Sequence, residues 1–176
     1  TSVTEQWTVL SISGPNSREF LSSLTDIDIS KEAFSFMKMR EGKVCGVDAR
    51  IFRISFTGEL SFEINVPSRY GLFVWNEFIK NGKRYDITPY GTESMHVLRA
   101  EKGFIIVGQD TDGSVTPKDI NMEWIVSKKK EDFLGKRSFA RADTARHDRK
   151  QLVGLLVNDK KTILPEGSYV VDKVKP

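Results

Sequence analysis

The sequence predicts an α+β fold in which helices pack on an antiparallel or mixed sheet. Some stretches alternate apolar and polar residues, as strands do, and others carry apolar residues at helical spacing. The two patterns interleave without the long strand–helix–strand rhythm of a parallel sheet, and the chain has no internal repeat. With 176 residues, of which 39% are hydrophobic and 29% charged, the chain is long enough for an ordinary globular domain with its own core.

The first elements are a strand and a helix. Residues 6–13 alternate as a strand with a buried face does, and Gly14 turns the chain. Pro15 then starts a helix that carries Phe20 and Leu21 on its apolar stripe. Because the strand begins within six residues of the terminus, we expect a sheet partner before residue 1 and therefore an N-terminally incomplete chain.

Several short strands follow, separated by glycines and charged residues. They are predicted at 34–39, 43–47 and 50–56, and a turn at Thr57-Gly58-Glu59 leads to a further strand at 61–66. The last of these strands alternates cleanly, so its apolar and polar side chains are expected on opposite faces of the sheet.

Two longer helices are predicted after the sheet. The first begins at Pro67-Ser68 and ends at Gly82. Its apolar stripe consists of Leu72, Trp75 and Ile79, and Phe73 and Phe78 widen it. The second runs from Thr92 to Lys102 and is followed by a glycine in the position that ends helices.

The C-terminal part of the chain changes character after a charged stretch without periodicity. Strand-like runs at 151–157 and 169–174 flank a turn. Two strands cannot form a stable domain by themselves, so we expect them to open a β-rich C-terminal barrel. The predicted domains are residues 1–142 and a second part, 143–176, which holds a linker and the first strands of the β module.

Composition and charge exclude several functions. Lys and Arg total 27 and Asp and Glu 24, interspersed along the chain, so the net charge of +3 gives no electrostatic case for nucleic-acid binding. Cys45 is alone and both histidines are distant from it, so neither a disulfide framework nor a metal site is predicted. No apolar run approaches the roughly 20 residues of a membrane helix, and the N-terminus lacks signal-peptide features. We therefore expect no membrane contact and a cytoplasmic location.

Glu63 is the candidate binding residue on the predicted strand at 61–66. Its neighbours Phe62 and Ile64 point to the opposite face, so Glu63 faces either solvent or a polar pocket. A carboxylate can accept two parallel hydrogen bonds from the N–H and NH₂ edge of a pterin or guanine ring. Spacing alone leaves both a solvated glutamate and a ring-binding glutamate open.

Five short motifs stand in an order that resembles a known family. They are FTGELSFEI at 56–64, LRAEKG at 98–103, GQD at 108–110, TP at 116–117 and FLGK at 133–136. In order and approximate spacing they resemble the folate-binding aminomethyltransferase family, which contains the glycine cleavage T-protein and the folate domains of sarcosine- and dimethylglycine-oxidising enzymes. The resemblance covers nearly the whole chain and is strongest to alpha subunits of hetero-oligomeric sarcosine-oxidising enzymes.

The resemblance implies a ferredoxin-like half-domain that binds tetrahydrofolate. Glu63 matches the second glutamate of the family's G-E-x-G-[FY]-E run, which holds the pterin edge, while Ser61 replaces the second glycine of that run. Phe56 is a candidate for stacking on a pterin or benzoyl ring, with core packing as the alternative. Gln109 and Asp110 either line the folate pocket or bind loop amides.

The reaction implied by the resemblance is one-carbon transfer to tetrahydrofolate. In sarcosine-oxidising relatives, folate captures the imine made by flavin oxidation of sarcosine, giving glycine and 5,10-methylenetetrahydrofolate. Flavin and NAD are expected only elsewhere in the holoenzyme, and the other subunits of a sarcosine oxidase are the expected partners. The family's aspartate that assists methylene transfer would lie upstream of residue 1, so no catalytic residue is predicted here and the isolated chain is expected to be inactive.

Two alternatives accompany this reading. The chain resembles the T-protein and dimethylglycine-oxidising enzymes as well, but the T-protein has a pterin-binding arginine where this chain has Met95, which favours the sarcosine-oxidising branch. The alternative of a different class is a non-catalytic fragment that serves subunit assembly.

Overall fold

The chain divides into two units, Thr1–Asp110 and Thr111–Pro176. The computed structural model describes residues 1–159 and 161–171. Within these residues, the α-helices and strands all lie in the first unit, and the second consists of turns and short 3₁₀ helices. No helix of this described part is long and apolar enough to cross a membrane.

A four-stranded sheet forms the centre of the first unit. Its strands are β1 (Trp7–Ser13), β2 (Met39–Val44), β3 (Val47–Phe52) and β4 (Ser61–Pro67). They lie in the order β1-β4-β3-β2, and every neighbouring pair is antiparallel. The α-helices are α1 (Ser17–Ser22), α2 (Gly71–Gly82) and α3 (Thr92–Glu101). The α+β class is therefore confirmed, with a purely antiparallel sheet.

The hydrophobic core covers one face of this sheet. Alternate residues of β1, β3 and β4 contribute to it, β2 contributes Val44, and α1 and α2 add aromatic and aliphatic side chains. The most deeply buried of these side chains are Phe20, Leu21, Phe34, Val44, Ile51, Phe62, Ile64, Val66 and Val74. Because the core uses only this face, the opposite face of the sheet is open for other contacts.

The β2–β3 hairpin corrects the predicted strand at 43–47. Val44 pairs with Val47, so Cys45 and Gly46 form a two-residue loop in the middle of that stretch. Their φ angles are 51° and 79°, and positive values at both positions are what a type I′ hairpin turn requires. The prediction was wrong because a cysteine rarely adopts this conformation and gave no turn signal.

The predicted strand at 34–39 was also wrong over most of its length. The backbone N–H of Phe34 donates to the carbonyl of Ser30 at 2.9 Å, which closes a helical turn, and β2 begins only at Met39. Phe34 is fully buried, so its apolar character reflects packing in the core and not a strand.

Helix α2 buries only part of the apolar face that was predicted for it. Val74 and Phe78 are 0% and 3% exposed, whereas Leu72 and Trp75 are 73% and 43% exposed. The rotation follows from Gly71, where a Cβ atom would lie only 2.6 Å from the Thr8 hydroxyl oxygen. This close approach turns the face that contains Gly71 toward β1, and positions one and two turns later then face the core. Of the predicted apolar face, Leu72, Phe73 and Trp75 are left on the surface, whereas Phe78 is buried.

A comparison of two substitutions tests this rotation. Phe78→Ala is expected to lower the free energy of unfolding by about 3–5 kcal/mol, because it empties a buried site and removes the edge contact with Phe20 at 5.5 Å. Leu72→Ala should change it by less than about 0.5 kcal/mol. Urea denaturation followed by circular dichroism measures both values. Similar losses for the two variants would contradict the rotation of α2.

The predicted strand at 151–157 is not formed. The N–H of Leu152 donates to the carbonyl of Asp119 at 2.7 Å, and Asn121 donates to the carbonyl of Leu152 at 2.9 Å, so this backbone is bonded to a turn. No neighbouring strand is available within the described part of the second unit, and Leu156 is fully exposed. The start of a C-terminal barrel is therefore not confirmed. Of the predicted strand at 169–174, residues 172–174 lie outside the described residues, and the domains 1–142 and 143–176 stay predictions.

A buried ion pair organises the second unit. Asp119 accepts hydrogen bonds from the N–H and hydroxyl of Thr116 at 2.8 and 2.9 Å, and from Nη2 of Arg149 at 2.6 Å. The same nitrogen of Arg149 donates to the carbonyl of Ser114 at 2.6 Å. The hydrogen bonds from Arg149, followed by those from Thr116, hold the pKa of Asp119 well below its usual range. The pair thus links segments 30 residues apart.

Candidate functional site

Glu63 lies on the open face of the sheet. The alternation expected for β4 is observed, with Phe62 and Ile64 buried and Glu63 only partly covered. In the register of the sheet, Glu63 stands opposite Ser11 of β1 and Phe52 of β3. Within the described residues, its carboxylate has neither a hydrogen-bond donor nor an ion-pair partner. The carboxylate is therefore available to a ligand.

Another glutamate on the same face of the sheet does have an ion-pair partner. Glu41 of β2 lies opposite Arg50 of β3, and the two side chains form an ion pair at 2.9 Å. The charge of Glu41 is therefore neutralised within the sheet, whereas that of Glu63 is not.

A chain of hydroxyl groups lies on the same face, next to Glu63. Tyr90 donates to the hydroxyl of Ser13 at 3.3 Å, and Ser13 donates to the hydroxyl of Ser61 at 2.9 Å. Ser61 is buried and is two residues from Glu63 along β4, so their side chains share one face. The three hydroxyls extend the polar surface around the carboxylate toward the edge of the sheet.

A cleft of about 840 Å³ runs along β1, the strand at this edge. Its walls include the whole run from Thr8 to Ser13, the exposed stripe of α2 with Leu72 and Trp75, and the segment that carries Tyr90. Met95 of α3 also lines it. Such a volume is typical of sites for small molecules, which combine apolar walls with a few polar groups. Glu63 does not line the cleft, but its cross-strand neighbour Ser11 does.

The other predicted site residues lie elsewhere. The Phe56 ring meets the His96 ring edge-on, with centroids 6.2 Å apart, and is partly exposed. The carboxylate of Asp110 accepts the N–H of Ile106 at 2.7 Å and pairs with Arg99. The Ile106 N–H bond contributes most, ahead of Arg99, to lowering the pKa of Asp110 below its ordinary value. Asp110 thus binds a loop amide, which was one of its two expected roles.

Neither Phe56 nor Asp110 lines the cleft, and neither does Gln109. Gln109 is exposed, and its N–H donates to the carbonyl of Ile106 at 3.1 Å. The structure therefore separates these three residues from the cleft beside Glu63. It brings Ser11, Ser13 and Tyr90 there instead, none of which the sequence motifs indicated.

The comparisons with known proteins agree on a family. The GCVT N-terminal domain model matches residues 1–130 of the chain. The sarcosine oxidase subunit alpha of Corynebacterium sp. (strain U-96) is 55% identical over 173 residues, which cover 97% of this chain and 18% of that protein. The corresponding subunit of Rhizobium meliloti (strain 1021) is 37% identical over 174 residues, covering 98% and 18%.

A more distant relative is the aminomethyltransferase of Thermoanaerobacter sp. (strain X514). It is 32% identical over 134 residues, which cover 76% of this chain and 36% of that enzyme. The chain spans about a fifth of the length of the sarcosine oxidase alpha subunits, 18% in each case. The similarity to the alpha subunits extends over more of the chain than the similarity to the aminomethyltransferase.

Proposed function

Because this chain belongs to the family of GCVT N-terminal domains, we propose that it is the tetrahydrofolate-binding part of a sarcosine-oxidising enzyme. The 55% identity to a sarcosine oxidase subunit alpha, against 32% to an aminomethyltransferase, supports the sarcosine-oxidising branch. The observation that carries the proposal is the unpartnered carboxylate of Glu63 beside the polar end of the cleft.

The residues of the site fit the chemistry of a reduced folate. The Glu63 carboxylate is a paired acceptor for the N–H and NH₂ edge of a pterin. The apolar walls at Leu72 and Trp75 suit the aromatic parts of the molecule, and the hydroxyls of Ser13 and Tyr90 offer further hydrogen bonds. A volume of about 840 Å³ leaves room for a ligand of this size.

The role proposed for this chain is binding and orientation. Tetrahydrofolate, when bound, supplies the nitrogen atoms that accept the one-carbon unit from sarcosine demethylation, with glycine and 5,10-methylenetetrahydrofolate as products. Glu63 would fix the orientation of the pterin, and the walls of the neighbouring cleft would hold the rest of the molecule. We place the flavin and NAD chemistry in other parts of the holoenzyme, with its other subunits as partners.

A titration tests the proposal. We expect 5-formyltetrahydrofolate, a stable reduced folate, to bind the chain and to change its tryptophan fluorescence, because Trp75 lines the cleft and is half-exposed. Trp75→Phe should remove most of this signal while calorimetry still detects binding. As a control, p-aminobenzoylglutamate, which lacks the pterin, should bind more weakly than 5-formyltetrahydrofolate. The absence of heat and fluorescence change at millimolar 5-formyltetrahydrofolate would reject the proposal for this chain.

A subunit-assembly role is the second candidate function. It is favoured by large apolar side chains on the surface of the second unit, where Leu134 and Leu156 are fully exposed and Trp124 is mostly so. Monomers of soluble proteins seldom expose many such side chains, whereas partner interfaces use them. Sedimentation of the chain alone and mixed with the other subunits of a sarcosine oxidase distinguishes the two roles: a chain that binds folate and does not co-sediment with these subunits argues against assembly as the main function.

A further inference from the structure

Three arginines surround a stacked pair of phenylalanines on the core side of the sheet. Phe34 and Phe62 are parallel to within 26°, with ring centroids 6.2 Å apart. The guanidinium carbons of Arg18 and Arg53 lie 5.2 and 5.5 Å from the Phe62 centroid, and that of Arg40 lies 5.8 Å from the Phe34 centroid. Three positive charges are thus gathered around one aromatic pair.

None of these arginines has a carboxylate partner. Within residues 1–159 and 161–171, no ion pair is formed by Arg18, Arg40 or Arg53, although several other arginines form one. Their hydrogen bonds go to backbone carbonyls instead: Arg18 donates to Ile29, Arg53 to Ser61 at 3.1 Å. Because a guanidinium carries five N–H donors, most of the donors in this cluster are left for another acceptor.

Arg18 and Arg53 also differ from the other ring-stacked arginines without an acidic partner. Arg69 and Arg84 each lie 4.8 Å from the centroid of a tyrosine ring, alone on that ring and exposed to solvent. Arg18 and Arg53 share one ring and are partly buried. Water therefore screens their charges less than those of the exposed pair.

The two charges act on each other. Burial and, after it, the positive charge of Arg18 lower the pKa of the Arg53 guanidinium below its ordinary value. An anion between the two groups would offset both effects, because it supplies opposite charge and accepts the free donors.

We propose that Arg18 and Arg53, with Arg40 at the rim, bind an oxyanion, which is a phosphate or carboxylate group. Planar guanidinium forks match the oxygen pairs of either group and can bind them in a bidentate manner. Two sources share this chemistry: a free phosphate-bearing ligand, or the carboxylates of a glutamyl tail. The second source rests on the proposed folate function, and the first does not.

The first test uses inorganic phosphate and the 176-residue chain. We expect calorimetry to show saturable phosphate binding, and Arg18→Gln and Arg53→Gln each to weaken it at least about 10-fold, the scale of one lost charge-assisted hydrogen bond. Arg69→Gln is the matched control, since it removes the same charge from another ring-stacked arginine, and it should leave the affinity within about 2-fold. The variants Arg18→Lys and Arg53→Lys serve the same test if a glutamine variant does not fold, and should weaken binding through loss of the planar fork.

The second test distinguishes the sources. If a glutamyl tail is the ligand, the pentaglutamate form of 5-formyltetrahydrofolate should bind at least about 10-fold more tightly than the monoglutamate, and Arg53→Gln should abolish that difference. If both forms bind equally while phosphate still binds, the site takes a phosphate-type ligand. The proposal is overturned if neither phosphate nor the added glutamates bind, or if Arg69→Gln weakens phosphate binding as much as Arg53→Gln.

Discussion

Glu63→Gln is expected to weaken the binding of 5-formyltetrahydrofolate by at least about 100-fold. The carboxylate can accept two parallel hydrogen bonds from the pterin edge, whereas the amide offers one acceptor and turns an NH₂ donor toward a ligand donor. Hydrogen bonds to charged groups contribute roughly 1.5–3 kcal/mol each, so the loss of the charge and of one bond corresponds to at least this factor. Calorimetric titration of the two proteins measures the ratio.

Glu41→Gln is the matched control for this experiment. It makes the same substitution on the same face of the sheet, but at a carboxylate that is already paired with Arg50. We expect its folate affinity to equal that of the unchanged chain. Equal affinities for the unchanged chain and Glu63→Gln would remove Glu63 from the pterin site while leaving the fold and the family intact.

Asp119→Ala is expected to destabilise the second unit by about 3 kcal/mol. The substitution leaves the Arg149 guanidinium without its partner in a largely buried setting and removes the acceptor for both groups of Thr116. The measurement is amide hydrogen exchange at Met122 and Leu152, whose N–H groups are bonded within this unit. These amides should exchange about 100-fold faster, in proportion to the lost free energy.

Asp148→Ala separates the effect of burial from that of the ion pair itself. Asp148 makes a comparable pair with Arg146 at 2.6 Å, but its side chain is 71% exposed, against 7% for Asp119. Exposed pairs contribute little to stability, so exchange at Met122 and Leu152 should not change. If both variants speed exchange equally, the Asp119–Arg149 pair has no special role.

The stabilisation of the second unit by the Asp119 carboxylate depends on pH with a definite sign. Because the pKa of Asp119 is lowered in the folded state, the stabilisation is complete above the unfolded pKa of about 3.9 and is lost as the pH falls below it. The difference in exchange between the unchanged chain and Asp119→Ala should therefore be constant near neutral pH and shrink only in acid.

Local patterns predicted much of the first unit. The period of two in β4 is a property of neighbouring residues, so the facing of Glu63 could be inferred before the sheet was known. β1 and the end of α3 near Gly103 could also be predicted from neighbouring residues. The φ of Gly103 is 72°, which suits a glycine. The α+β class followed from the interleaving of these patterns, which left an antiparallel and a mixed sheet both open.

Features that depend on distant residues were not predictable in this way. The rotation of α2 is set by the approach of Gly71 to Thr8, which lies on another strand. The hydroxyl chain needs the register that pairs Ser13 with Ser61. The hairpin loop at Cys45 was missed for a different reason, because cysteine is uncommon at positive φ and therefore gave no turn signal. The predicted roles of Phe56, Gln109 and Asp110 in folate binding stay predictions.

The edge position of β1 also affects the order in which the strands of the sheet can pair. Of the four strands, β1 is made before the other three, yet within the described residues it pairs with β4 alone, and Ser13 bonds to a residue 48 positions later. The β2–β3 hairpin can close locally as soon as its short loop is made, whereas β1 must wait for the whole hairpin and the loop after it. Among these four strands, the one that lines the cleft is thus made before the others and pairs after the β2–β3 hairpin has formed.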